Sequence, residues 1–163
     1  MVDLGHYKAY SYARRAYEVG MFFHPMFGIH LHREVETLLR AGDEGLAREE
    51  VRRFAERAGE RAGRMSYLRS LAVLREWEGD TKRAIGHLHE ALSAEIGPPG
   101  ELWQIRSRIG ELHERLGEVG EARGAFTRAA QILRGLAKIK DDGLREGFLS
   151  APQARARAPL ARE

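Results

Sequence analysis

A spacing of small and large apolar residues recurs along this chain and constrains its fold more than any other feature. Each copy has a small residue, a second apolar residue four positions later, and a third apolar residue on the same helical face. The second residue is large in three copies and alanine in the first. The copies are Ala9, Ala13 and Ala16; Ala47, Val51 and Phe54; Ala84, Leu88 and Ala91; and Ala122, Phe126 and Ala129. Their first members are residues 9, 47, 84 and 122, so they lie 38, 37 and 38 residues apart. Such regularity indicates a repeat protein.

A glycine stands five residues before the first alanine in three of these copies. These glycines are Gly42, Gly79 and Gly117, and each is followed by an acid, namely Asp43, Asp80 and Glu118. Glycine accepts the left-handed conformation that ends many helices. An acid just beyond it caps the next helix or lies in its first turn, where the helix dipole favours negative charge. The pattern therefore predicts helix, tight turn and helix. Gly5 lies four residues before Ala9, so the first copy is one residue short.

The chain is predicted to be all-α, because helical periodicity alternates with short turns and no period-two run is present. Gly97 and the prolines after it mark a break between two helices. The predicted helices cover residues 6–20, 26–41, 44–62, 64–78, 81–94, 101–116, 119–138 and 141–149. Antiparallel pairs of such helices stack into a right-handed α-α superhelical solenoid, since each pair leaves an apolar face for the next. Residues 1–150 form this domain, and the polar residues 151–163 are expected to be a disordered tail.

Composition excludes several classes of function. The 163 residues contain no cysteine, which rules out disulfides and thiolate metal sites. No apolar run reaches the length of about 20 residues that a membrane span needs, and no signal peptide is visible, so a cytoplasmic protein without a membrane partner is expected. The net charge is +3, from 27 basic and 24 acidic residues. Because the two signs are interleaved along most of the chain, this charge argues against a nucleic-acid partner.

The repeats resemble the tetratricopeptide repeat (TPR). In the copy that fits best, Ile109 and Gly110 match the large residue and small residue of the first helix, and Gly117 matches the turn. His113 stands at a place that is usually aromatic, and Arg106 stands where a tryptophan is common. The resemblance implies about 3.5 repeats, namely a half-repeat at 5–20, repeats at about 26–62, 64–96 and 101–138, and a cap at 141–149. It also implies a scaffold that binds a protein or peptide in its concave groove.

The repeat length of 37–38 residues further resembles the C-terminal TPR segments of large bacterial regulators, of the signal-transduction NTPase and cyclase type. This resemblance implies the C-terminal arm of a bacterial regulatory or signalling protein. The first copy has only its second helix, which suggests that the chain is a fragment. No motif of the nucleotide-binding or catalytic domains of such regulators is present, so their activities do not carry over.

The resemblance places the groove on the first helix of each pair. The candidate partner-binding residues there are His32, Arg40, Arg69, Trp77, Gln104, Glu111 and Arg115. Among them Arg69, Trp77 and Arg115 are the strongest candidates, because arginine and tryptophan dominate binding energy when they are desolvated. The alternative for each of these residues is an ordinary surface position.

Two other functions remain open at the level of sequence. The unpaired first helix carries Tyr7, Tyr10 and Tyr17 and could join two copies of the chain, because an exposed end of a solenoid needs a cap or a partner. A small-ligand sensor is the second alternative.

Catalytic and metal sites are not expected. The histidine pairs His30/His32 and His87/His89 are two residues apart, and such pairs diverge on a helix. No catalytic motif and no set of paired catalytic groups is present, so the chain is expected not to be an enzyme and to need no cofactor.

Overall fold

The computed structural model describes residues 31–55, 61–93 and 99–136, and every regular element among them is a helix. This confirms the all-α prediction for that part of the chain. The six helices are α1 (Leu31–Arg40), α2 (Glu44–Ala55), α3 (Arg61–Trp77), α4 (Thr81–Ser93), α5 (Pro99–Arg115) and α6 (Val119–Leu136). The predicted helices at 6–20 and 141–149, and the tail from residue 151, lie outside the described residues. The chain divides into two compact units, Met1–Glu95 and Ile96–Glu163.

Two helices begin earlier than the sequence predicted. Helix α3 begins at Arg61, so residues 61 and 62 belong to α3 and not to the helix before it. Helix α5 begins at Pro99. Proline suits the first position of a helix, since its backbone dihedral is already helical and its missing N–H is not needed there.

The three predicted glycine turns share one geometry. Gly42, Gly79 and Gly117 have φ of 82°, 81° and 74°. At the first turn the N–H of Gly42 donates to the carbonyl oxygen of Leu39, and the N–H of Asp43 donates to that of Leu38, both at 3.0 Å. The same pair of bonds closes the other two turns. This is the Schellman motif, which satisfies the last carbonyl groups of a helix and requires the left-handed conformation. The predicted role of these glycines is confirmed.

The acid after each glycine behaves differently in the third turn. A carboxylate oxygen of Asp43 accepts the N–H of Leu46, and one of Asp80 accepts the N–H of Arg83, each at 3.1 Å. Both aspartates are therefore N-caps. In the third turn the carboxylate of Glu118 lies 2.6 Å from Nδ1 of His113 on the preceding helix. A glutamate carries one more methylene group, and here it reaches back to α5 and leaves the start of α6 without a side-chain cap from that position.

This difference predicts unequal costs of removing the two acids. We expect Asp80→Ala to lower the free energy of unfolding by about 1 kcal/mol, because it removes an N-cap bond. Glu118→Ala is the matched control and should cost less, since it removes only a partly exposed contact with a side chain. Urea unfolding followed by circular dichroism measures both losses. Equal losses would contradict the assignment of the caps.

The first unit is built from two helical hairpins. Helix α1 packs against α2 and against α3, and α3 packs against α4. One buried cluster joins the first three helices; its members are Leu31, Val35, Leu38, Leu39, Ala47, Val51, Phe54 and Leu74. Two ion pairs that span 26 and 30 residues cross between helical segments: Arg64 with Glu90 at 2.7 Å and Arg48 with Glu78 at 2.6 Å. The pairing of α1 with α3 brings together the first helices of the two hairpins.

The second unit contains the hairpin of α5 and α6. Trp103 on α5 packs with Ala129 and Leu133 on α6. Nearer the turn, a Cβ atom added to Gly110 would lie only 2.5 Å from the Phe126 ring. Gly110 is therefore a packing residue, as the repeat pattern predicted, because the ring occupies the space where a side chain would stand.

Candidate interaction surface

Helices α1 and α3 carry four of the predicted partner-binding residues. The ion pair between Arg48, in the first turns of α2, and Glu78, just after α3, shows that the turns at Gly42 and Gly79 lie at the same end of the first unit. We call this the turn end. Arg40 and Trp77 are the last residues of α1 and α3, so both lie at the turn end.

The four residues differ sharply in exposure. His32 and Arg69 are only 6% and 8% exposed, whereas Trp77 is 51% exposed and Arg40 is also exposed. Along this face of α3, Ser66 and Arg69 are buried, Val73 and Glu76 are partly buried, and Trp77 is exposed. The face is therefore accessible at the turn end and closed away from it. His32 and Arg69 therefore offer a partner little accessible surface, whereas Arg40 and Trp77 offer much more.

Arg69 lies in a polar part of the interior. Burial lowers its pKa to about 10, and the nearby positive charge of Arg33 adds to this effect. Ser66 and Ser70 are buried on the same helix, and the hydroxyl of Ser70 donates to the carbonyl oxygen of Ser66 at 2.8 Å. A lowered pKa means that the fold disfavours the charged form relative to water, although Arg69 remains protonated at neutral pH. The buried side of α3 thus contains three polar side chains within two turns, namely those of Ser66, Arg69 and Ser70.

Charged side chains surround the turn end. Arg40 donates to the carboxylate of Glu36 at 2.6 Å. Glu78, next to Trp77, accepts from Arg48 at 2.6 Å and from Arg75 at 2.5 Å. The hydrogen bond from Arg48 is the main cause that holds the pKa of Glu78 below its usual value. The turn end thus combines an exposed aromatic residue with paired charges of both signs, and protein-binding surfaces likewise combine apolar anchors with polar groups at their rim.

The second unit carries the other three predicted residues, all on α5. Gln104 and Glu111 are partly buried, and Arg115 is exposed at the end of the helix. Glu111 accepts a hydrogen bond from Arg108 at 2.6 Å, which ties its carboxylate to its own helix. By the repeat spacing, Arg115 occupies the place that Arg40 and Trp77 occupy in the first unit. The last position of the first helix is thus exposed in all three pairs.

Some features of these surfaces had no signal in the sequence. The contact of Arg48 with Glu78 joins residues 30 positions apart, so local charge spacing does not reveal it. The burial of Arg69 likewise depends on tertiary packing, and an arginine is expected at the surface. Tyr7, Tyr10 and Tyr17, predicted for self-association, lie outside the described residues.

Residues 31–55, 61–93 and 99–136 contain no group of three or more His, Asp or Glu side chains placed to hold a metal ion. None of the helices in these ranges is both long enough and apolar enough to cross a membrane. Comparison of the chain with protein-family models, curated proteins and solved structures finds no match.

Proposed function

We propose that this chain is a protein-interaction module of the TPR type, in which successive helix pairs stack into a solenoid. Two features support the proposal. Helix α1 packs on α3, which is how the first helices of consecutive repeats meet in such a stack. The three Schellman turns at Gly42, Gly79 and Gly117 share one geometry at the repeat spacing. A role as the C-terminal arm of a bacterial regulator is part of the same proposal and rests on the sequence resemblance alone.

The proposed binding site is the turn end of the first unit, and the exposed Trp77 carries the proposal. Among the large hydrophobic side chains in the described ranges, Trp77 and Val119 are the exposed ones, at 51% and 66%. Of the two, Trp77 has by far the larger side chain. A partner that covers its exposed half removes apolar surface from water, which favours binding. Arg40 lies at the same end and can extend the contact with hydrogen bonds.

The chemistry of this surface favours a polypeptide partner. An indole ring packs on apolar side chains, and Glu36, Arg40 and Glu78 offer hydrogen-bonding groups of both signs in the same part of the unit. Most of these groups are already paired with each other, so a highly charged ligand would find little net field. A segment that brings one apolar residue and a few polar groups matches the site best.

Peptide selection tests this function directly. A random peptide library is selected on the immobilised full chain, and the recovered peptides are measured by fluorescence anisotropy against wild type and Trp77→Ala. We expect Trp77→Ala to weaken binding by about tenfold or more, since a tryptophan at the centre of an interface is a hot spot. Trp77→Phe should retain part of the affinity, because it keeps an aromatic surface.

Arg52→Ala is the matched control, since Arg52 is exposed in the last turn of α2, away from the turn end, and the change also truncates a long side chain. It should leave the dissociation constant unchanged. Thermal unfolding of Trp77→Ala should match wild type, because half of this side chain is already in water. If the selected peptides bind Trp77→Ala as tightly as wild type, the turn end is not the binding site.

A further inference from the structure

The third helix pair differs from the earlier ones at one position of the first helix. The repeat spacing aligns Leu31, Leu68 and Arg106, which are 37 and 38 residues apart. Leu31 and Leu68 are buried in the first unit. In the second unit the same place holds an arginine, which is only partly buried. A charged group therefore stands where the chain elsewhere places a core leucine.

The packing of α5 on α6 brings a second arginine to the same place. Trp103 contacts Ala129 and Leu133, and the Phe126 ring lies against Gly110. In an antiparallel hairpin these two contacts bracket Arg106, so it lies opposite the turn of α6 that contains Arg128. Arg128 is exposed. The two guanidinium groups thus belong to the same level of the hairpin, and the charge of Arg128 acts on Arg106.

The charges of these two arginines repel each other. Burial is the first cause that lowers the pKa of Arg106, and the charge of Arg128 lowers it further. Within residues 99–136 neither side chain forms an ion pair. The repeat spacing aligns Arg128 with Glu90, which accepts a hydrogen bond from Arg64 at 2.7 Å in the preceding pair. The corresponding position in the third pair therefore carries a cation where the second pair carries an acid.

We propose that Arg106 and Arg128 together bind a carboxylate of an acidic polypeptide segment. Two adjacent guanidinium groups can surround one carboxylate with several charge-assisted hydrogen bonds, and the anion relieves their mutual repulsion. Gly124 lies one turn before Arg128, is exposed, and would place a Cβ atom in open space. The absence of a side chain there leaves room for the partner's backbone. This site belongs to the second unit and does not depend on Trp77.

The arrangement favours a carboxylate over the phosphates of a nucleic acid. Nucleic-acid binding neutralises a series of phosphates, each of which needs its own cation. The other arginines on the exposed part of α6 are Arg123 and Arg134, and they lie roughly 120–140° around the helix from Arg128. The cations of α6 therefore do not form a continuous row, and the pair at Arg106 and Arg128 is a local site.

Anisotropy measurements with defined probes test this site on the full chain. The probes are a fluorescent glutamate-rich peptide, its glutamine counterpart, and a single-stranded oligonucleotide of equal formal charge. We expect the glutamate peptide to bind wild type more tightly than the other two, with an affinity that falls as salt rises. Arg106→Leu and Arg128→Gln should each weaken its binding by about tenfold. Arg123→Gln makes the same change of charge on the other side of α6 and should leave binding unchanged.

Thermal unfolding provides a second readout. Arg106→Leu should raise the melting temperature, because it replaces a partly desolvated cation with leucine, the residue at the equivalent positions 31 and 68. The same variant should bind the peptide more weakly. Arg128→Gln changes an exposed residue and keeps the test independent of any repacking at residue 106. The proposal is overturned if the glutamate peptide fails to bind at millimolar concentration, or if Arg123→Gln weakens binding as much as Arg128→Gln. Tighter binding of the oligonucleotide, lost in the same two variants, would replace it with a nucleic-acid site.

Discussion

Gly110→Ala is expected to destabilise the hairpin of α5 and α6 by about 1–3 kcal/mol, the usual cost of overpacking a well-filled interior. The added Cβ atom would lie 2.5, 2.7 and 2.8 Å from three carbons of the Phe126 ring. Phe126 is buried and its ring is rigid, so it can relieve these contacts only by moving as a whole. The smallest possible substitution therefore carries a large penalty at this position.

The second helix pair indicates how this penalty can be removed. The repeat spacing aligns Gly110 with Ala72 and Phe126 with Leu88, and both Ala72 and Leu88 are buried. That pair therefore accommodates alanine on the first helix together with a smaller residue on the second. We expect Phe126→Leu to be destabilising alone, because it leaves a cavity, but to rescue Gly110→Ala in the double variant.

A double-mutant cycle measures this coupling. Urea unfolding of the wild type, the two single variants and the double variant should give an interaction free energy of about 1–2 kcal/mol, which is typical of residues in direct contact. Hydrogen exchange of peptides from residues 99–136 locates the effect in the second unit. If the losses of unfolding free energy in the two single variants simply add in the double variant, glycine at position 110 is not required by the Phe126 ring.

This part of the fold could be predicted because it depends on local chemistry. The glycine at each turn is required by its own backbone conformation, and the alternation of Gly110 with Phe126 is required by two helices in contact. Each requirement selects a particular type of residue at a fixed position of the repeat, and the sequence shows that choice directly. The third turn shows the limit, because Glu118 and Asp80 look equivalent in sequence and differ by one methylene group. That group is enough to move the carboxylate from the helix start to His113.

The candidate surface was less predictable than the fold. The repeat pattern placed His32, Arg69 and Trp77 on one type of face, and only Trp77 is well exposed. Periodicity tells which face of a helix a residue is on, but exposure along that face depends on what packs over it. The repeat pattern also did not indicate the pair of Arg106 and Arg128, because one arginine at a position that is leucine in the other pairs can be an ordinary variation of the repeat. The proposed site needs both arginines, and only the antiparallel packing of the hairpin relates Arg128 to Arg106.

Gly79→Ala is expected to lower the free energy of unfolding by about 1–2 kcal/mol, although a Cβ atom there would meet no neighbour. The cost comes from the backbone, because φ at Gly79 is 81° and an L-residue is strained in the left-handed region. The turn cannot relax to a negative φ without losing its two closing bonds. These are the bonds from the N–H of Gly79 to Glu76 and from the N–H of Asp80 to Arg75, at 3.0 and 2.8 Å.

Gly86→Ala is the matched control within the same helical hairpin and should have the opposite sign. Gly86 lies inside α4, is exposed, and would also place its Cβ atom in open space. Here the backbone is already helical, so alanine reduces the conformational freedom of the unfolded chain and stabilises the protein by about 0.5–1 kcal/mol. Urea unfolding of both variants followed by circular dichroism gives the two values. If Gly79→Ala proves as stable as the wild type, or gains stability as Gly86→Ala should, the turn at Gly79 does not depend on its left-handed residue.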